Sequence, residues 1–103
     1  MGQPYSSGVW IAKPGREEEF VAAWREFAEW SSATGGGRGW IKLLRYREQP
    51  TRFISLGRWD SSEAEEAYRS HPGLAERLSH VRELVDHLES STLDEVAGVG
   101  EPR

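Results

Sequence analysis

The chain has 103 residues, the length of one domain that buries about two-thirds of its unfolded surface. Its formal charge of -4 offers no basic footprint for nucleic acid or an anionic membrane, and the absence of Cys excludes disulfides, thiolate metal sites and cysteine nucleophiles. Asn is absent as well, so N-glycosylation has no acceptor, and no apolar run approaches the roughly 20 residues that span a bilayer.

These limits describe a soluble, cytoplasmic protein, and the excess of Arg over Lys suggests a GC-rich bacterial source. Residues 1–103 read as a single domain with an ordered core over about 5–97. The first six residues fit the N-myristoylation pattern formally, but without a polybasic neighbour they read as a frayed terminus.

Tyr5 to Lys13 is the first expected strand, with Val9 and Ile11 on one face and Gly8, Trp10 and Ala12 on the other. Pro14-Gly15 ends it. Glu17, Glu18 and Glu19 then suit the positive end of a helix dipole. Phe20, Val21, Trp24, Phe27 and Ala28 recur at helical spacing and predict a buried face, with Trp30 toward its edge. Gly35-Gly36-Gly37-Arg38-Gly39 lacks the Lys-Ser/Thr of a phosphate loop and reads as a connector.

Trp40 to Arg47 forms the second expected strand, and Gln49-Pro50-Thr51 turns it into a third, Phe53 to Trp59. Here Phe53, Ser55, Gly57 and Trp59 share one face, and Ile54, Leu56 and Arg58 the other. Asp60-Ser61-Ser62-Glu63 supplies helix-starting chemistry, with Asp60 as the expected cap, so the period changes from two to about 3.6 immediately after Trp59. Ala64, Ala67 and Tyr68 continue the helix until His71-Pro72-Gly73 interrupts it. Leu74, Leu78, Val81, Val85 and Leu88 predict one long helical stripe, and Ser90 to Val99 a last strand.

The order strand, helix, strand, strand, helix, strand is that of a ferredoxin-like βαββαβ fold, an α+β domain with an antiparallel sheet and two helices on one face. The other sheet face does not look polar. Whichever side meets the helices, large apolar groups remain opposite: Trp40, Leu44 and Tyr46 oppose Ile41 and Leu43, while Phe53 and Trp59 oppose Ile54 and Leu56. Such a surface predicts a symmetric homodimer, sheet against sheet.

Lys13-Pro14-Gly15 before a Glu-rich helix with Phe20, then Phe53 through Ser61, then Ala64 and Tyr68, resembles the antibiotic biosynthesis monooxygenase family of dimeric α+β barrels, over about Val9 to Val96. The resemblance implies a cavity between helices and sheet bordered by Trp59 and Tyr68. Some members oxidise electron-rich phenols with molecular oxygen and need no metal or flavin; others degrade haem. Where the haem-degrading branch carries an Asn, a Trp and an axial His, this chain has Gly8, Tyr68 and Leu78, with His80 two residues on, so haem degradation is disfavoured. The phenol-oxidising branch has a strand Asn where Ser55 stands here, while the Trp four residues later, Trp59, is kept.

The residues expected to carry chemistry are Tyr68, His71 and Trp59, and those expected to line a substrate site are Trp10, Ser55, Trp59, Tyr68 and Leu78. Trp59 reads first as a packing residue at the strand–helix junction and His71 first as a solvated loop histidine, while Tyr68 reads equally as a buried tyrosine with a local partner. His80, Glu83 and His87 form a metal-ligand set by type, but they read as a solvated helix face. The expected function is a cofactor-independent monooxygenase acting on a small aromatic or polycyclic phenol, without haem, flavin or metal. The alternative is a non-catalytic barrel that binds a small hydrophobic molecule.

Overall fold

The computed structural model describes residues 3–34 and 38–100. Met1 and Gly2, the glycine connector at Gly35–Gly37, and the tail from Glu101 lie outside the described residues. Seven elements follow one another: β1 (Pro4–Ala12), α1 (Glu17–Thr34), β2 (Arg38–Tyr46), β3 (Gln49–Trp59), α2 (Ser62–Arg69), α3 (Leu74–Arg82) and β4 (Val85–Asp94). The strands form one antiparallel sheet in the order β2-β3-β1-β4, the ferredoxin-like topology.

The turn from β1 to α1 is closed by the Arg16 N–H, which donates to the Lys13 carbonyl at 2.9 Å. Pro14 fixes the first corner, and Gly15 takes φ +84°, a conformation that disfavours any side chain. From there α1 buries Phe20, Ala23, Trp24, Phe27, Ala28 and Ser31, the three-and-four spacing of one helix face. That face packs on the sheet. Phe20 lies 5.5 Å from the Trp10 ring and 4.9 Å from Phe53, both tilted, and each pair adds about 0.5–1.5 kcal/mol to the burial of its rings. Val81, Leu84 and Val85 close the far end of this core.

Alternation along β1 and β3 follows the sequence pattern. Trp10, Gly8 and Ser6 pair with Phe53, Ser55 and Gly57 on the helix-covered face. Tyr5, Val9 and Ile11 fall on the open face, beside Ile54 and Leu56 of β3. Leu44 on β2 and Leu93 on β4 extend that face, with 54% and 44% of their surface exposed, and Trp40 and Tyr46 lie at its rim.

Four local expectations are corrected. The β2–β3 hairpin turns at Arg47-Glu48, and Gln49-Pro50-Thr51 already belongs to β3. Pro50 cannot donate to a ladder, and the pairing skips from Arg45↔Phe53 to Tyr46↔Gln49 around it. The cap of α2 is Ser61, not Asp60: its Oγ accepts from the Ala64 N–H at 3.1 Å. The break at Pro72 is complete, so the second helical layer is two helices. The third helix stops at Arg82, and β4 begins at Val85, not near Ser90. The misleading signal was a β-bulge. Ala12 pairs with Val85 but Ile11 with His87, leaving Asp86 extra, so the inward residues Val85 and Leu88 are three apart and imitate helical spacing.

Candidate functional site

Between the sheet and the helices lies a cavity of about 340 Å³. Its composition follows from strand register. On the inner face of β1 and β4 the cross-strand pairs run Trp10↔Leu88, Gly8↔Ser90 and Ser6↔Thr92. One end is therefore apolar, and Trp24, Phe27, Leu74 and Leu78 complete it from the helices. The other end carries hydroxyls. Trp10 and Ser6, four residues apart on an extended strand, mark ends separated by roughly 13 Å.

The floor is fixed by three residues. The Trp10 Nε1–H donates to Ser55 Oγ at 3.0 Å, and Ser55 Oγ donates to the Gly8 carbonyl at 3.5 Å. A Cβ on Gly8 would meet Ser55 Oγ and Trp10 Nε1, each at 2.9 Å, so only glycine lets the indole lie across the strands. Ser55 thus orients the indole of Trp10.

From α2, Tyr68 and Glu65 line the cavity. Tyr68 is half-buried, its ring 4.9 Å from Trp59 and 6.4 Å from Trp30. Glu65 is 4% exposed. Its Oε2 forms an ion pair with Arg69, 2.8 Å from Nε, and accepts from the Thr92 hydroxyl at 3.2 Å. One turn of α2 thereby brings a tyrosine and a buried carboxylate to the same cavity, with the Arg69 guanidinium at its mouth.

Of the residues singled out from sequence, Trp10, Ser55, Tyr68 and Leu78 line the cavity. Trp59 does not. It is fully buried behind Tyr68, and its Nε1–H donates to Ser6 Oγ at 2.6 Å, while the Gln3 side chain donates to its carbonyl. His71 does not line it either. Its Nδ1 accepts from the Gly73 N–H at 2.9 Å, and its ring stands edge-on to Trp30 at 5.2 Å, so it shapes the α2–α3 junction. Trp30, expected near an edge, packs at that junction, with the Arg77 guanidinium 5.5 Å over its ring.

His80 and Glu83 are exposed at the end of α3, whereas His87 lies on the open face of β4, 3.7 Å from Glu89. They do not share a helix face, because the helix ends before His87. Among the described residues no group of three or more His, Asp or Glu is arranged to hold a metal ion.

The sequence reading missed Glu65, Ser6 and Thr92. Glu65 precedes Tyr68 and Arg69 by three and four residues, the spacing of a shared helix face, which was the available signal. Thr92 lay inside the expected last strand, but the face it shares with Ser6 follows only from the β1–β4 register.

The sequence model of the antibiotic biosynthesis monooxygenase family matches residues 9–78, more than half of the chain. The chain belongs to this family. The fold agrees: the structure of SnoaB, a cofactor-independent oxygenase from Streptomyces nogalater, superposes with a TM-score of 0.86 over 98% of this chain and 100% of that one, at 17% identity. A Bordetella bronchiseptica protein provisionally assigned to the antibiotic biosynthesis monooxygenases gives a TM-score of 0.79 at 20% identity, covering 94% of this chain and 100% of that one. A Chloroflexus aurantiacus protein of the same provisional assignment gives 0.73 at 22% identity, covering 95% and 97%. No curated protein matches the sequence.

Proposed function

We propose that the protein is a cofactor-independent oxygenase that oxidises a small aromatic or polycyclic phenol with molecular oxygen, the substrate supplying the electrons. The observation that carries this reading is the aromatic-walled cavity under Tyr68, in a chain of this family. Its 340 Å³ lies within the roughly 300–1,000 Å³ of small-molecule sites. Trp10, Trp24 and Phe27 offer ring faces to a planar ligand, and Tyr68 offers a hydroxyl for a phenolic oxygen. For an anthrone-type substrate the balance is simple: two C–H bonds of a ring CH₂ break, one oxygen atom stays as the new carbonyl, and the other leaves as water. The similarity to SnoaB supports the same class of reaction.

We infer in addition that the working unit is a homodimer formed through the open sheet face, which presents Ile54, Leu56, Leu44 and Leu93. Trp59 and His71 enter the reading as supports. Trp59 backs the Tyr68 ring, and His71 fixes the break that lets α3 turn over the cavity.

The test is oxygen uptake with anthrone-like and hydroquinone-like substrates. Wild type should consume oxygen, and Tyr68→Phe should slow it when the two are compared at equal folded fraction. One observation favours a second reading, a barrel that binds a hydrophobic molecule without turning it over: among the described residues no histidine lines the cavity to take a proton. Saturable binding of such compounds with no oxygen uptake would replace the first reading with the second.

A further inference from the structure

The hydroxyl-bearing end of the cavity contains a charged group that none of the packing explains. Glu65 is 4% exposed, on a helix whose other faces are open to water, so an acid at this position had solvent within reach and points inward instead. Removing a carboxylate from water is costly unless its oxygens are satisfied. Oε2 is satisfied twice, by an ion pair with Arg69, 2.8 Å from Nε, and by a hydrogen bond from the Thr92 hydroxyl at 3.2 Å. Oε1 accepts no hydrogen bond from the described residues. The carboxylate belongs to the cavity wall, and its Oε1 is an acceptor awaiting a donor.

We propose that Glu65 Oε1 is the anchor for the ligand's hydroxyl group, and that this makes the site selective for neutral fused-ring phenols over both plain hydrocarbons and aromatic carboxylates. The proposal rests on the phenol reading above and adds the group that recognises the phenol. An ionised carboxylate only accepts, so it selects an O–H or N–H and repels an anion. A hydrogen bond to a charged acceptor is among the stronger kinds. The apolar end, from Trp10 to Leu78, takes the rings, so the ligand lies along β1 with its hydroxyl toward Thr92. Arg69 offsets the charge of Glu65 on the far side while its own side chain remains 60% exposed at the mouth.

The experiment is equilibrium dialysis of the full chain against 1-naphthol, naphthalene and 1-naphthoate, which share a ring system and differ at one position. Wild type should bind 1-naphthol about ten-fold or more tightly than naphthalene, and 1-naphthoate most weakly. Glu65→Gln keeps the shape and introduces a donor. It should cut the naphthol preference severalfold and raise naphthoate affinity. An unchanged ranking in a folded Glu65→Gln protein would overturn the assignment. So would a wild type that binds 1-naphthoate most tightly, since Arg69 would then be the anchor. Should the variant fail to fold, the wild-type ranking decides alone. The oxygenase reading fails separately: a naphthol preference abolished by Glu65→Gln, without oxygen uptake on any substrate, keeps the anchor and removes the enzyme.

Discussion

Trp59 joins two jobs that a smaller ring would divide. Its indole N–H holds Ser6, and its face holds Tyr68. Trp59→Phe should therefore cost about 1–3 kcal/mol in urea unfolding, from a lost buried hydrogen bond and a small void. Because Trp59 does not line the cavity, affinity for planar phenols should stay within about two-fold once the folded fraction is allowed for. A ten-fold loss would instead make Trp59 a ligand contact. Ser55 differs in kind: Ser55→Ala leaves the Trp10 Nε1–H without its acceptor, at a cost of about 1–3 kcal/mol, and frees the indole that forms the cavity floor. Both stability and ligand affinity should fall. Gly8→Ala should destabilise by a similar amount, about 1–3 kcal/mol, because its Cβ meets the same two atoms at 2.9 Å. Chemical unfolding of the two variants beside wild type checks both expectations.

At the level of elements, α2 is short and depends on its ends. It has eight residues, too few to hold as an isolated helix, so its Ser61 cap and its packing on β3 and β4 maintain it. Ser61→Ala should lower stability by about 0.5–2 kcal/mol, and it should loosen Glu65 and Tyr68 together, because both ride on that helix. Faster amide exchange across 62–69, read by mass spectrometry, is the expected signature. The elements also show what was legible beforehand. Strands β1 and β3 and helix α1 were readable because one face of each is buried, which impresses a clean period on the residues. The end of α3 was not. A single extra residue, Asp86, shifts β4 from period two to an apparent period of three, and no local signal separates that from a helix. The candidate site was legible where it is aromatic: Trp10, Tyr68 and Leu78 follow from packing logic or family resemblance. Glu65 was marked only by its spacing with Tyr68 and Arg69, since an acid on an otherwise exposed helix shows that it turns inward only once β4 is in register to meet it.

For the whole molecule, the open sheet face decides the expected assembly. A chain of 11.7 kDa that exposes Leu44, Leu93, Trp40 and Tyr46 around Ile54 and Leu56 should be found near twice that mass by light scattering at micromolar concentration. Ile54→Arg places a charge at the centre of the face and should yield monomer with the fold intact by circular dichroism. A wild type that stays near 11.7 kDa at every concentration would refute the pairing.

Because successive residues of β1 point to opposite sides, the strand is a comb whose teeth serve two assays in turn. Positions 5, 9 and 11 face the expected partner, and positions 6, 8 and 10 face the cavity and its supports. A scan of substitutions along β1 should separate into two interleaved profiles, one affecting mass and the other affecting ligand. Deleting one residue near the middle of the strand should invert the remaining teeth, so that the loss of either property brings the loss of the other.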